Sequence, residues 1–199
     1  VATRKKNAEA TREAILHAAQ GAFTRLGYDS AGVREIGAAA GANAALVNRY
    51  FGSKLGLFAE AVSETLVLDE SLLDDRDAFC RRFVLDTLNN NRPDVPGFDP
   101  TLAMMRSAAN PQIAELLRTR MEEQIVHPLA EWLGGEDAEI RSALILSVIA
   151  GVCVLRDVLS IRGVTRDEPT LAVHLTAVMR ALVEPPATPS PAPDEPSRN

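Results

Sequence analysis

The sequence predicts an all-α protein, and three observations carry that prediction. Apolar residues recur every three or four positions from Ile15 to Leu182. No stretch alternates apolar and polar residues as a half-buried strand would. Helix starts and stops punctuate the chain: Asn43, Ser53 and Pro111 precede apolar stripes, and Gly52 and Gly134-Gly135 follow them. No internal repeat is present. With 46% hydrophobic residues the 199-residue chain can bury a sizeable core. Only 5% are aromatic, so that core is mainly Leu, Val, Ala and Ile.

Residues 1–10 read as a basic N-terminal arm carrying Arg4, Lys5 and Lys6. The first helix is expected over Arg12–Leu26, N-capped by Thr11, with Ile15, Ala19, Ala22, Phe23 and Leu26 as its buried stripe. His17 falls on its outer side. Val33, Ile36 and Ala40 then share one face of a second, short helix. Gly32 stands at its N-cap, with Glu35 three residues on. Gly37 lies where a crossing helix would come closest. Gly41 sits at the turn, a position that often needs φ > 0. Asn43 is a good N-cap for a third helix, whose inner face is Leu46, Val47 and Tyr50. Gly52 closes that helix at C′, and Ser53 caps the next. Two short helices joined by a tight turn form a helix-turn-helix, whose second helix enters the major groove of DNA. Lys54 falls in a first helical turn, where the dipole disfavours a cation by up to about 1 kcal/mol. A phosphate would reverse that sign.

Residues 11–62 resemble the N-terminal domain of the TetR family of bacterial transcriptional regulators. The likeness rests on the opening TREAIL, Phe23 with Gly27-Tyr28, the VREI helix, Ala40-Gly41, and the Tyr50-Phe51-x-Ser53-Lys54 closing. Three positions depart from the family pattern. Gly32 stands where a phosphate-touching Ser or Thr is usual, Gly37 where Ala is usual, and Asn48 where Tyr is common. The resemblance implies a three-helix helix-turn-helix DNA-binding domain, placed at residues 11–56. It also implies a larger helical domain for ligand binding and dimerisation, placed at residues 57–184.

Specific candidates follow for an interface with a double-stranded DNA operator. Asn43 can pair with an adenine edge or a phosphate, and Ala44 and Ala45 are small enough to touch thymine methyls. Asn48 and Arg49 reach bases or phosphates further along. Tyr50 and Lys54 hold phosphates, which set register without reading sequence. Arg34 is a further phosphate or base candidate. Charge supports a local footprint. The first 57 residues hold eight basic and four acidic side chains, the remainder 13 arginines and 23 acids, within a net charge of -6. For Arg4-Lys5-Lys6, a solvated start and an arm along the duplex both remain open.

Beyond Ser53 the pattern is helix after helix. A first is expected from Ser53 to about Leu73, a second from Asp77 to about Asn90, and a loop over 91–100. A short helix from Pro100 to Ala109 carries Met104 and Met105. A long helix starts at Pro111, with Ile113, Leu116, Leu117, Met121, Ile125, Leu129 and Trp132 as its stripe and a kink at Pro128. Two helices remain, about Asp137–Ile161 and Pro169–Glu184. The first is nearly all apolar from Ala143 to Leu155, so it should be buried on most sides. Residues 185–199 hold six prolines and read as a disordered tail.

The resemblance implies a homodimer through the last two long helices, and a small-molecule effector that releases the DNA. Candidate liners of the effector pocket are Phe79, Phe83, Met104, Met105, Met121, Ile125 and Trp132, with Arg106 and His127 as polar handles. An aliphatic or lipid-like effector fits the scarcity of aromatics. The expected function is a sequence-specific transcriptional regulator, by family default a repressor of a palindromic operator. The alternative is a ligand-binding or scaffold protein whose helix-turn-helix no longer reads DNA, a reading that Gly32 and Gly37 keep open.

Catalysis is not expected, and no cofactor or metal is implied. The three histidines, His17, His127 and His174, belong to no metal-spaced motif, and no phosphate loop or nucleophile elbow is present. Cys80 and Cys153 read as reduced thiols. The longest apolar run, Ser142–Leu155, is shorter than the roughly 20 residues a bilayer span needs. With no signal peptide recognised, a cytoplasmic location is expected.

Overall fold

The structure, a computed structural model, describes residues 2–63, 66, 68, 70–88 and 97–184, with the backbone alone for residues 2–6 and 70. The expectations for the Arg4-Lys5-Lys6 side chains, residues 89–96 and the 185–199 tail lie outside the described residues. Among the described residues all regular structure is helical. The helices are α1 (Ala2–Ser30), α2 (Val33–Ala39), α3 (Ala44–Phe51), α4 (Lys54–Ser63), α5 (Arg76–Leu88) and α6 (Pro100–Ser107). They continue as α7 (Pro111–Met121), α8 (His127–Leu133), α9 (Ala138–Cys153), α10 (Arg162–Thr165) and α11 (Glu168–Val183).

Several boundaries differ from the expected ones for identifiable reasons. Helix α1 starts well before Thr11, because residues 2–10 are rich in the helix formers Ala, Arg, Lys and Glu. Thr11 is no cap; its hydroxyl donates to the Asn7 carbonyl one turn back, at 2.8 Å. Gly27, at φ 70° and ψ 175°, breaks α1 near its end. The buried stripe stops at Phe23, and Leu26 is 52% exposed rather than buried. Helix α4 ends at Ser63, and residues 70–74 form a 3₁₀ turn instead of extending it to Leu73. Leu66, Leu68 and Leu72 are buried all the same. At Pro128 the backbone meets the missing N–H with a π turn over Glu122–Val126 between α7 and α8.

Two cores form. The first joins Ile15, Phe23, Ile36, Val47 and Phe58 to Ala103, Ile113 and Leu117, so α1–α4 pack against α6 and α7. The second gathers Phe79, Val84, Leu129, Ile145, Leu175 and Met179 from α5, α8, α9 and α11. Arginines close the helix ends around this second core. Buried Arg141 pairs with Asp137 at 2.9 Å and donates to the carbonyls of Gly134, Leu182 and Val183. Arg76 donates to the Val183 and Leu133 carbonyls at 3.1 and 2.8 Å.

Helix α9 is not enclosed as its composition suggested. Ile140 is 66% exposed, Leu144 45% and Leu155 41%. A π turn over Val154–Val158 prolongs α9 without interruption. The continuous helix Ala138–Val158 has 21 residues, and its most apolar 18-residue window has a mean hydropathy of 2.0. The Ser142–Leu155 run therefore belongs to a helix that by length and composition could cross a membrane, although the run alone is too short. Only 22% of that helix's most apolar window is buried within one chain.

Candidate nucleic-acid interface

The helix-turn-helix forms from local chemistry that the sequence specifies. Gly32 is the N-cap of α2 in extended conformation. Ala42 N–H donates to the Gly37 carbonyl at 2.8 Å, which closes the turn tightly. A Cβ on Gly37 would lie 3.2 Å from the Asn43 carbonyl carbon, so the missing side chain permits this approach of α2 to the start of α3. Gly41 takes φ 65° in the turn. The Asn43 side chain accepts the Leu46 N–H at 2.9 Å and caps α3. Gly52, at φ 74°, ends α3, and the Ser53 hydroxyl accepts the Gly56 N–H at 3.0 Å to start α4.

Helix α3 is divided into two faces. Val47 and Phe51 are buried in the first core, with Leu46 and Tyr50 packed at its edge. Ala45, Asn48 and Arg49 are exposed on the other face, with Asn43 exposed at the cap. Ala44 and Tyr50 are half-buried, and the Arg49 guanidinium lies 5.5 Å from the Tyr50 ring centroid. Arg34 is exposed on α2. The Glu35 carboxylate folds into the space that Gly32 leaves; a Cβ there would overlap Oε2. A Ser or Thr at position 32 would require Glu35 to turn away.

Lys54 is held on two sides. Its Nζ donates to the Asp29 carbonyl at 3.2 Å and stands 4.6 Å from the Tyr28 ring centroid. Burial first, then the neighbouring Asp29 carboxylate, pushes the Tyr28 phenol above its ordinary pKa, so the ring beneath the ammonium stays neutral. Tyr28 in turn packs edge-on to Phe58, with centroids 5.6 Å apart.

Sequence reasoning missed the residues that tie this module to the rest of the chain. Arg12 pairs with Glu60 and lies 5.1 Å from the Phe51 ring centroid, linking α1, α3 and α4. Tyr28 N–H donates to Ser107 Oγ at 2.9 Å, and Asn110 Nδ2 to Asp29 Oδ1 at 2.7 Å. Two signals pointed here: Gly27 after an apolar stripe, and Asn110 before Pro111 as a helix start.

The expected effector liners do not come together. Phe79, Phe83 and Trp132 belong to the second core, while Met104, Met121 and Ile125 belong to the first. Met105 is 45% exposed, and His127 is exposed. Arg106 is no pocket handle: it donates to the Thr24 and Arg25 carbonyls at 2.5 and 2.6 Å, satisfying the end of α1 before the Gly27 break. Periodicity identified the inner faces of these helices but could not assign them to one core or the other. A groove of about 290 Å³ between α5 and α11, lined by Arg81, Leu85, Val173 and Arg180 among others, contains none of them.

Comparison with known proteins agrees with both halves of this architecture. The family described as "Bacterial regulatory proteins, tetR family" matches residues 15–61, and "Tetracyclin repressor-like, C-terminal domain" matches residues 77–183. No curated protein sequence matches the chain. A TetR-family regulator of Streptomyces coelicolor is similar in structure, with 26% identity, TM-score 0.57, and 88% of this chain and 95% of that one covered. Salmonella enterica GusR has 21% identity and TM-score 0.67, covering 87% of this chain and 95% of its own. NalD of Pseudomonas aeruginosa, the secondary repressor of a multidrug efflux pump, has 22% identity and TM-score 0.64, covering 86% and 95%.

Proposed function

This chain belongs to the TetR family of bacterial regulatory proteins, whose members are DNA-binding transcriptional regulators, and we propose that it acts as a homodimeric, effector-released repressor. The observation that carries this reading is the division of α3. Its inner residues anchor it in a core, and its outer residues Ala45, Asn48 and Arg49 are left exposed behind an Asn43 cap. That face, with Ala44, meets the operator's bases, Tyr50 and Lys54 hold its phosphates, and Arg34 reaches either. Asn48 in place of the common Tyr makes base contact there shorter and more polar, which should alter the bases preferred.

A palindromic operator requires two such faces about 34 Å apart. The exposed apolar side of α9, with Ile140, Leu144 and Leu155, together with Val178 of α11, supplies the surface through which two copies pair. Members of this family are generally non-enzymatic, and this one works by binding in the cytoplasm. The effector is a small apolar molecule that prefers the conformation with lower DNA affinity. Within the larger domain, the half-buried Phe83 and Trp132, packed against the enclosed Phe79, are the aromatic side chains suited to that chemistry.

The test is selection of bound fragments from sheared source-organism DNA with the purified protein, read by sequencing. An enriched palindrome is the expected result. No enriched motif from folded, dimeric protein would overturn the reading in favour of a helical scaffold.

A further inference from the structure

The turn after Gly27 is gripped from both sides. On one side stands Lys54, whose ammonium donates to the Asp29 carbonyl and lies over the Tyr28 ring. On the other stands the α6–α7 corner, whose Ser107 hydroxyl accepts the Tyr28 N–H and whose Asn110 amide donates to the Asp29 carboxylate. The amide orientation of Asn110 is fixed independently. Its Oδ1 accepts the N–H groups of Gln112 and Ile113 at 2.9 and 3.3 Å, so only Nδ2 is free to face Asp29. The short 2.7 Å bond to an exposed carboxylate is charge-assisted.

Asp29 thus has a divided task. Its backbone carbonyl positions a cation, and its side chain carries a negative charge on the same residue. A carboxylate free to swing toward Lys54 would neutralise it and repel a phosphate. Tied to Asn110, the carboxylate is committed to the larger domain. Resting on the reading of Lys54 as a phosphate contact, we propose that Asp29 and Asn110 are positioning residues for Lys54. Through them the α6–α7 corner sets how much positive charge the helix-turn-helix offers to DNA. The partner is the phosphate backbone of any duplex, so the effect is independent of sequence.

The experiment measures affinity of the full chain for a random-sequence duplex across a salt series. Asn110→Asp keeps the oxygen that caps α7 and removes the donor, setting carboxylate against carboxylate. Asn110→Ser keeps a capping oxygen but is too short to reach Asp29. Both variants should bind about fivefold or more weakly at moderate salt. Their salt slope should fall toward that of Lys54→Met, which loses about one unit. Adding Asp29→Asn to Asn110→Asp rebuilds a donor–acceptor pair and should recover most of the loss. In the Lys54→Met background, Asn110→Asp should change nothing further. A wild-type slope for both Asn110 variants, with Lys54→Met still lowering it, would overturn the relay alone. An unchanged slope in Lys54→Met would overturn the phosphate reading and the relay with it. Additive losses from Asn110→Asp and Lys54→Met would reduce Asn110 to a structural role.

Discussion

Gly151 offers a test in which stability and assembly should move in opposite directions. It lies on α9 four residues before Leu155 and four after Ser147, on the exposed apolar side of the helix. A Cβ built there meets no atom within 4 Å in the single chain. The Cβ of Gly151→Leu therefore meets no clash within one subunit, and the substitution replaces the weakest helix former but proline by a strong one, a gain approaching 1 kcal/mol. In the proposed dimer the same position lets two helices approach closely, and a leucine there is overpacked. Overpacking costs about 1–3 kcal/mol per site, and two-fold symmetry doubles it to roughly 2–6 kcal/mol. The dimer dissociation constant should rise by about 30-fold or more. Sedimentation velocity over a concentration series gives that constant, and thermal unfolding of the dilute monomer gives the stability. A variant that dimerises like the wild type would refute the α9 face as the interface. A variant that unfolds at much lower temperature as a monomer would refute the claim that position 151 is open.

Four further outcomes follow from the same geometry. Gly27→Ala forces a side chain to φ 70° with its Cβ 2.8 Å from the Arg106 carbonyl oxygen, and should cost about 2 kcal/mol or more, read as a lower urea midpoint. Arg141→Met leaves the Gly134, Leu182 and Val183 carbonyls without their buried donor and should cost about 3 kcal/mol in the same assay. Asp77 is held below the ordinary carboxylate pKa by hydrogen bonds from Arg81 and then Arg180, so its stabilisation is present above that range and lost as pH falls through it. Asp77→Asn should accordingly flatten the acid side of a stability–pH curve and leave the remainder of its shape unchanged. Asn43→Ala removes the α3 cap, costing about 1 kcal/mol, and should relax base preference at one operator position in a selection experiment.

The parts legible in the sequence are those fixed by neighbours in the chain. Asn43, Gly41, Gly52 and Ser53 do what their residue types favour because caps and tight turns are closed within three or four residues. The misread parts depend on distant partners. Thr11 resembled a cap, but the helix formers before it carry α1 past that point. Leu26 continued the stripe, but Gly27 breaks the helix where the α6 backbone presses against it, and nothing local announces α6. Arg106, a polar handle for the effector by expectation, instead closes a helix end. Its carbonyl partners lie 81 and 82 residues away. The same holds for Arg76 and Arg141, which close helix ends that come together only in the fold. The DNA-facing residues and effector liners were inferred from helix faces and resemblance. Of the former, Arg34, Asn43, Ala45, Asn48 and Arg49 are exposed and Ala44, Tyr50 and Lys54 half-buried; the latter are divided between two cores.

That division bears on how effector and operator communicate. Helices α2 and α3 have 7 and 8 residues, too short to be stable alone, so their geometry is whatever the core beneath them imposes. That core does not stop at residue 56. Ile36 and Val47 share it with Ala103 of α6 and with Ile113 and Leu117 of α7. The polar contacts at its edge run the same way, from Ser107 and Asn110 to Tyr28 and Asp29. Close-packed side chains do not absorb a displaced helix by yielding smoothly; they shift to another packing or resist. An effector that moved α6 by about an ångström would therefore have to repack the floor of the reading helix or break the contacts at the Gly27 turn. A flexible linker between the halves would have spared the reading helix either change. This chain joins its two functions through shared packing, and the cost of that repacking sets the minimum difference in effector affinity between the two states.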